Sequence, residues 1–141
     1  MKTIMIILFS FATLKAPASE VSVSFSDIRS DKGYIFYLLF DGAEGFPDNE
    51  KKSVRQGRVE AKVAKSEGIV FQGPEKGQYA LSIFHDENSN SKLDTNFLGI
   101  PKEGFGFSQN PKVLFGPPSF KKSRFKLDKK TDLNIKVIYF L

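Results

Sequence analysis

From Glu20 onward, apolar residues recur at every second position, and that periodicity commits the chain to β structure. In "EVSVSFSDI", Val21, Val23 and Phe25 alternate with Ser22, Ser24 and Ser26, so one face of a strand meets the core and the other meets water. "GYIFYLLFD" is apolar on both faces from Tyr34 to Phe40, as a strand is when both of its faces are covered. "RVEAKVA" alternates again, with Val59, Ala61 and Val63 inward and Arg58, Glu60 and Lys62 outward. "IVFQ" predicts a short strand, "GPEKG" a turn and "QYALSIFHD" a further strand. At the C-terminus, "KSRFKL" and "LNIKVIYFL" alternate around "DKKT" and predict a closing hairpin. No segment after the leader carries a helical period. About seven strands with turn punctuation predict an all-β, antiparallel β-sandwich with Greek-key connections.

The length of 141 residues suits a single domain. The start "MKTIMIILFSFATLKAPASE" has the order of a secretory leader: Lys2, an apolar run from Thr3 to Leu14, then Ala16-Pro17-Ala18. The expected organisation is a signal peptide at residues 1–19, cleaved after Ala18 or Ser19, and one β-sandwich domain at residues 20–141. The apolar run falls short of the ~20 residues of a spanning helix, so no stable membrane span is expected. The protein is read as exported, periplasmic or extracellular. The absence of Cys removes disulfides, thiolate metal sites and thiol nucleophiles. The formal charge of +5 falls to +3 once Lys2 and Lys15 leave with the leader, which speaks against nucleic acid as a partner.

The most informative stretch is "HDENSNSKLDTN". Asp86, Asn88 and Asn90 occupy relative positions one, three and five of a calcium-type loop, the Lys92 carbonyl position seven and Asp94 position nine. Hard oxygen ligands at alternate positions can curl around a calcium ion. Position twelve is Phe97 and not a bidentate Glu, and position six is Ser91 and not Gly, so this is no EF-hand; Glu103 is the nearest later carboxylate able to fold back. The other reading is a polar turn in which Asp, Asn and Ser bond their own backbone. Calcium binding here would be weak. Zinc is excluded by a single His and no Cys, and His85 is read as a satisfied polar residue orienting the loop.

The run "FHDENSNSKLDTNFLGIPKEGFGFSQN", followed by "FGPPSF" and a final alternating strand, resembles the bacterial family of uncharacterised exported proteins known as domain of unknown function 2141. The resemblance extends from about Val21 to Tyr139. It implies a small β-sandwich of transthyretin-like or carboxypeptidase-regulatory type and brings no activity with it. Family members often carry Gly where this chain has Ser89 and Ser91, which implies positive φ there.

An enzyme needs a nucleophile or an acid/base pair. Alternation sends Ser82 and His85 to opposite strand faces and no Gly-x-Ser-x-Gly elbow exists, so no catalytic residue is assigned. Two of Asp86, Glu87, Asp94 and Glu103 could serve glycoside hydrolysis on an envelope glycan, which is the rival reading. Phe105 and Phe107, in what reads as a Gly-flexible loop, are candidate ligand-binding rings, and the favoured alternative is that both fold back to cover the end of the sandwich. Lys122, Arg124 and Lys126 form a basic stripe beside Phe125 and Leu127 that could meet an anionic envelope surface, and the favoured reading is that such lysines protect an edge strand. The resulting expectation is a monomeric, non-enzymatic binding module whose partner is a protein or glycan of the cell envelope, with the loop at residues 85–103 as its ordered end.

Overall fold

A computed structural model describes residues 18–141, so all but the last two residues of the expected signal peptide lie outside the described residues. In chain order the elements are β1 (Glu20–Ser26), β2 (Tyr34–Phe40), β3 (Arg55–Glu60), α1 (Ala61–Glu67), β4 (Ile69–Gln72) and β5 (Gly77–Asp86). There follow β6 (Gly104–Phe107), α2 (Phe120–Ser123), β7 (Phe125–Leu127) and β8 (Lys130–Lys136). Strands dominate, and the protein is all-β. A smaller sheet has the order β4-β1-β8, and a larger one β3-β2-β5-β6 with β7 also on β5.

The two sheets share one core. Val21 and Val23 of β1, Ile69 of β4 and Ile135 of β8 pack with Ile35 and Leu39 of β2 and with Leu81 and Ile83 of β5. These are the inward positions that the alternation predicts, and complete burial of each such side chain is worth about 1.5–3 kcal/mol. β5 is buried on both faces, because loops cover Ala80 and Ser82 on the side away from the core. That second covered face positions the site described below.

Several sequence expectations are corrected. "RVEAKVA" is not one strand: β3 ends at Glu60, and Ala61 and Ala64 then face the core from α1. Two small residues three apart lie on one helix face, the residues between are good helix formers, and Gly68 stops the helix at φ 72° with its N–H on the Ala64 carbonyl. The four-residue α2 also departs from the helix-free expectation. The described residues hold eight strands, in line with the expected count of about seven. The closing hairpin is absent: β7 pairs antiparallel with β5, while β8 pairs parallel with β1. The reason lies in the length of β5. β6 covers only Ser82 to His85, which leaves Gly77 to Tyr79 open for β7. Ser108 marks the change of partner, accepting from the Leu81 N–H at 2.9 Å and donating to the Ser123 carbonyl. Finally, the basic stripe is broken, since Lys122 belongs to α2, Arg124 caps it, and Lys126 alone lies on β7.

Candidate functional site

Where β5 ends, Asp86 is fully buried and its carboxylate accepts from the backbone N–H groups of Asn90 (3.1 Å) and Ser91 (2.8 Å). Glu103 folds back as the sequence suggests, accepting from the Glu87 N–H (2.9 Å) with one oxygen and from the Asp94 N–H (3.0 Å) with the other. Above them the amide of Asn88 donates to Asp94 at 2.6 Å and that of Asn90 at 2.9 Å. The Asn90 and then the Asn88 amide, helped by Lys102 and Lys92, hold the Asp94 carboxyl below its ordinary range. Lys92 joins through its N–H, which donates to the Asn90 side-chain oxygen at 3.0 Å. The structure thus brings Asp86, Asn88, Asn90, Lys92, Asp94 and Glu103 together in one loop. Ser89 and Ser91 adopt φ of 59° and 64°, the left-handed conformation that favours glycine. Among the described residues, no three His, Cys, Asp or Glu side chains form a group that could hold a metal ion.

A second network ties this loop to the chain end. Nε2 of the buried His85 lies 2.7 Å from the Lys32 carbonyl, which can only accept, so Nε2 carries the proton. Nδ1 is then the acceptor, and the Tyr139 hydroxyl donates to it at 2.7 Å. Arg29 lies over the Tyr139 ring, 4.4 Å from its centroid, and forms a two-point contact with Glu87 at 3.0 and 2.8 Å. The Arg29 hydrogen bond, with a further one from Ser30, pulls the Glu87 carboxyl down to about 2. His85 has the structural role read from the sequence. Arg29 and Tyr139 were missed, because nothing local in "DIRSDKG" or "VIYFL" announces a contact spanning the chain.

The loop also forms a wall. Phe84 opposes Phe36 on one side and Phe105 on the other, and Ser82 opposes Phe107. These side chains share the sheet face turned away from the core, where the Phe36 and Phe84 rings stack with centroids 4.8 Å apart. Over this face runs a groove of about 860 Å³, with Leu38, Phe84, Phe105 and Phe107 in its floor. Leu98 and Ile100 line it from the first loop, and Leu114 and Phe115 from the segment after β6.

The expectation of a flexible loop at Phe105 and Phe107 is therefore corrected: both are buried strand residues, each 6% exposed. The glycines that alternate with them, Gly104 and Gly106, explain the strand. A Cβ at Gly104 would collide with Tyr139 and Val137, and one at Gly106 with Ile135, so β6 has room for side chains only on its groove face. Sequence reasoning missed Leu98, Leu114 and Phe115. The available signal was two aliphatic-aromatic pairs, Phe97-Leu98 and Leu114-Phe115, in segments with no strand period to bury them.

The family model described as "Uncharacterized protein conserved in bacteria (DUF2141)" matches residues 23–135. No curated protein and no solved structure matches the chain.

Proposed function

The chain belongs to the DUF2141 family, and from that premise we propose that it is an exported, monomeric binding module that takes an apolar ligand in the groove over its larger sheet. One observation carries the reading: a groove of about 860 Å³ floored by Phe84, Phe105 and Phe107 falls in the size range of small-molecule sites. Two sheets over one core support a β-sandwich of the transthyretin-like or carboxypeptidase-regulatory kind. The envelope partner expected from the sequence narrows to one with an apolar moiety. Hydrolysis draws less support, since both oxygens of Asp86 and of Glu103 already accept loop N–H groups.

Titration with the neutral dye N-phenyl-1-naphthylamine tests the groove. Saturable binding with about one site is expected, and Leu98→Asp should weaken it about tenfold by placing a charge in the wall. Unsaturable dye uptake, or equal binding in the variant, overturns the reading.

The loop is proposed to take calcium weakly, at about 0.1–1 mM. Support comes from the gathering of Asp86, Asn88, Asn90 and Asp94 in one loop and from the positive φ of Ser89 and Ser91; the Asn88 and Asn90 amide N–H groups now donate to Asp94, so calcium binding requires these amides to turn their oxygens inward. Calorimetry on chelator-treated protein should give heat that is lost in Asp86→Ala, and the absence of heat at millimolar calcium retires the metal. Export is proposed from the leader-like order of the first residues, and cleavage after Ala18 would keep the buried Ser19, whose carbonyl accepts from the Gly73 N–H at 2.9 Å. Intact mass of protein from its native compartment should begin at Ser19, and a retained Met1 contradicts export.

A further inference from the structure

The two loops that wall the groove end in apolar tips that the groove does not cover. Phe97 is 95% and Leu98 69% exposed at one tip, and Leu114 is 77% and Phe115 100% exposed at the other. Four large apolar side chains standing in water on two neighbouring tips exceed the scattered exposure of an ordinary surface.

The chain segment that carries the second tip is one-sided in charge. From Gly104 to Leu127 the chain has no Asp or Glu, but it has Lys112, Lys121, Lys122, Arg124 and Lys126, all exposed. Lys92 and Lys102 stand at the base of the other tip, also exposed. Among the described residues none of these cations forms a salt bridge, a property they share with Lys51, Lys62 and Lys129 elsewhere on the fold. Of the nearby carboxylates, Asp94 is bonded to Asn88 and Asn90 and feels Lys102 and Lys92, and Asp48 and Glu50, from the loop after β2, line the groove itself.

We propose that the groove rim docks on an anionic lipid bilayer, with Phe97, Leu98, Leu114 and Phe115 entering the interface and the surrounding lysines meeting the headgroups. Each half of the pattern needs the other. Apolar tips bury themselves at the boundary between headgroups and acyl chains, roughly 5–10 Å deep, and unpaired cations near them gain from the negative surface potential. Lysine stems can lie along the apolar layer while the ammonium stays at the headgroups. A second copy of the chain fits worse, because two such rims would bring like charges together. A nucleic acid would use the charge and leave the four apolar tips in water. Docking would also open the groove toward the membrane, the phase from which an amphiphile with an acyl chain could enter it.

The test is co-sedimentation of the mature chain, in chelating buffer, with phosphatidylcholine vesicles that contain or lack about one third phosphatidylglycerol. Binding is expected on the anionic vesicles, weakened by high salt and near background on pure phosphatidylcholine. The double variant Phe97→Ser, Phe115→Ser should lower partitioning about tenfold or more with an unchanged melting temperature, since both rings are exposed in the free protein. The double variant Lys112→Glu, Lys121→Glu should also bind less. Failure to sediment with anionic vesicles overturns the proposal, and so does equal binding of the Phe variant. Sedimentation equilibrium showing a dimer that the Phe variant dissolves would assign the tips to a second copy and overturn it too. Dye binding in the groove is measured without vesicles, so its survival or loss reports separately on the ligand-binding reading.

Discussion

The two loops that wall the groove present similar apolar tips by opposite means. From Asp86 to Glu103 the chain is cross-linked by its own polar side chains, with two buried carboxylates each accepting two backbone N–H groups. The Asp94 carbonyl also accepts from the Lys102 N–H, and that of Ile100 from Asn96, so the outer part closes as a small ribbon. From Asn110 to Ser119, hydrogen bonds among the described residues anchor only the ends, through Asn110 to β8 and Ser119 to α2. Between them the shape rests on Pro111, Pro117 and Pro118. Proline restrains a loop by narrowing the unfolded ensemble and needs no folded partner. The first loop is therefore coupled to the stability of the domain, whereas the exposed tip of the second, at Leu114 and Phe115, can change at little cost to the fold.

The largest expected effect tests that coupling. Glu103→Ala leaves the Glu87 and Asp94 N–H groups without their acceptor and should destabilise by about 3 kcal/mol in urea unfolding, the cost of losing two charge-assisted bonds. A loss under ~1 kcal/mol would mean that the loop is ordered by something else.

Next comes the clamp behind the same loop. Arg29→Ala should cost roughly 1–2 kcal/mol, because the pair is charge-assisted and two-pointed yet partly solvated. Glu87 adds a pH signature whose sign follows from its shift. Its folded pKa, about 2, lies below the ordinary 4.5, so its contribution is present above about 4.5 and is lost as the pH falls toward 2. Stability measured down that window should fall more steeply for the wild type than for Glu87→Gln. Parallel curves would show that Arg29 does not hold the carboxylate.

A smaller effect, of opposite sign, belongs to Ser91 at φ 64°. Ser91→Gly relieves left-handed strain but adds unfolded entropy, so a net gain of under ~1 kcal/mol is expected. If the strain exists only around bound calcium, the gain instead tightens calcium by up to about fivefold. A lower melting temperature with unchanged calcium affinity would contradict both.

The smallest effect lies in the other loop. Phe115→Ser should change stability by less than about 0.5 kcal/mol, since the ring is fully exposed. A larger loss would mean that the ring packs on the fold and would erase the contrast between the loops.

The legible part of the fold is the part whose information is local. Val21, Val23, Leu81 and Ile83 face the core because alternation on a strand leaves them no other face, and the cluster from Asp86 to Asp94 forms a turn because Asp and Asn bond the backbone a few residues away. The positive φ at Ser91 was implied by the family resemblance, and the return of Glu103 by its being the nearest later carboxylate. α1 was hidden because Ala61-Lys62-Val63-Ala64 satisfies a period of two as well as a single helical turn. β6 was hidden because glycine in "GFGF" signals flexibility until the side chains that fill its empty face are known.

By itself the sequence determined that the chain is all-β, where its main strands lie, and that a polar loop follows His85. Only the tertiary structure decided that β7 and β8 part to different sheets, that Arg29 reaches Tyr139 and Glu87, and that Phe84, Phe105, Leu98 and Phe115 meet around one groove. The physical reason is range. Periodicity and turn chemistry act over a few residues, whereas an edge left open by a short neighbour, or a face covered by distant loops, exists only after the sheets have assembled.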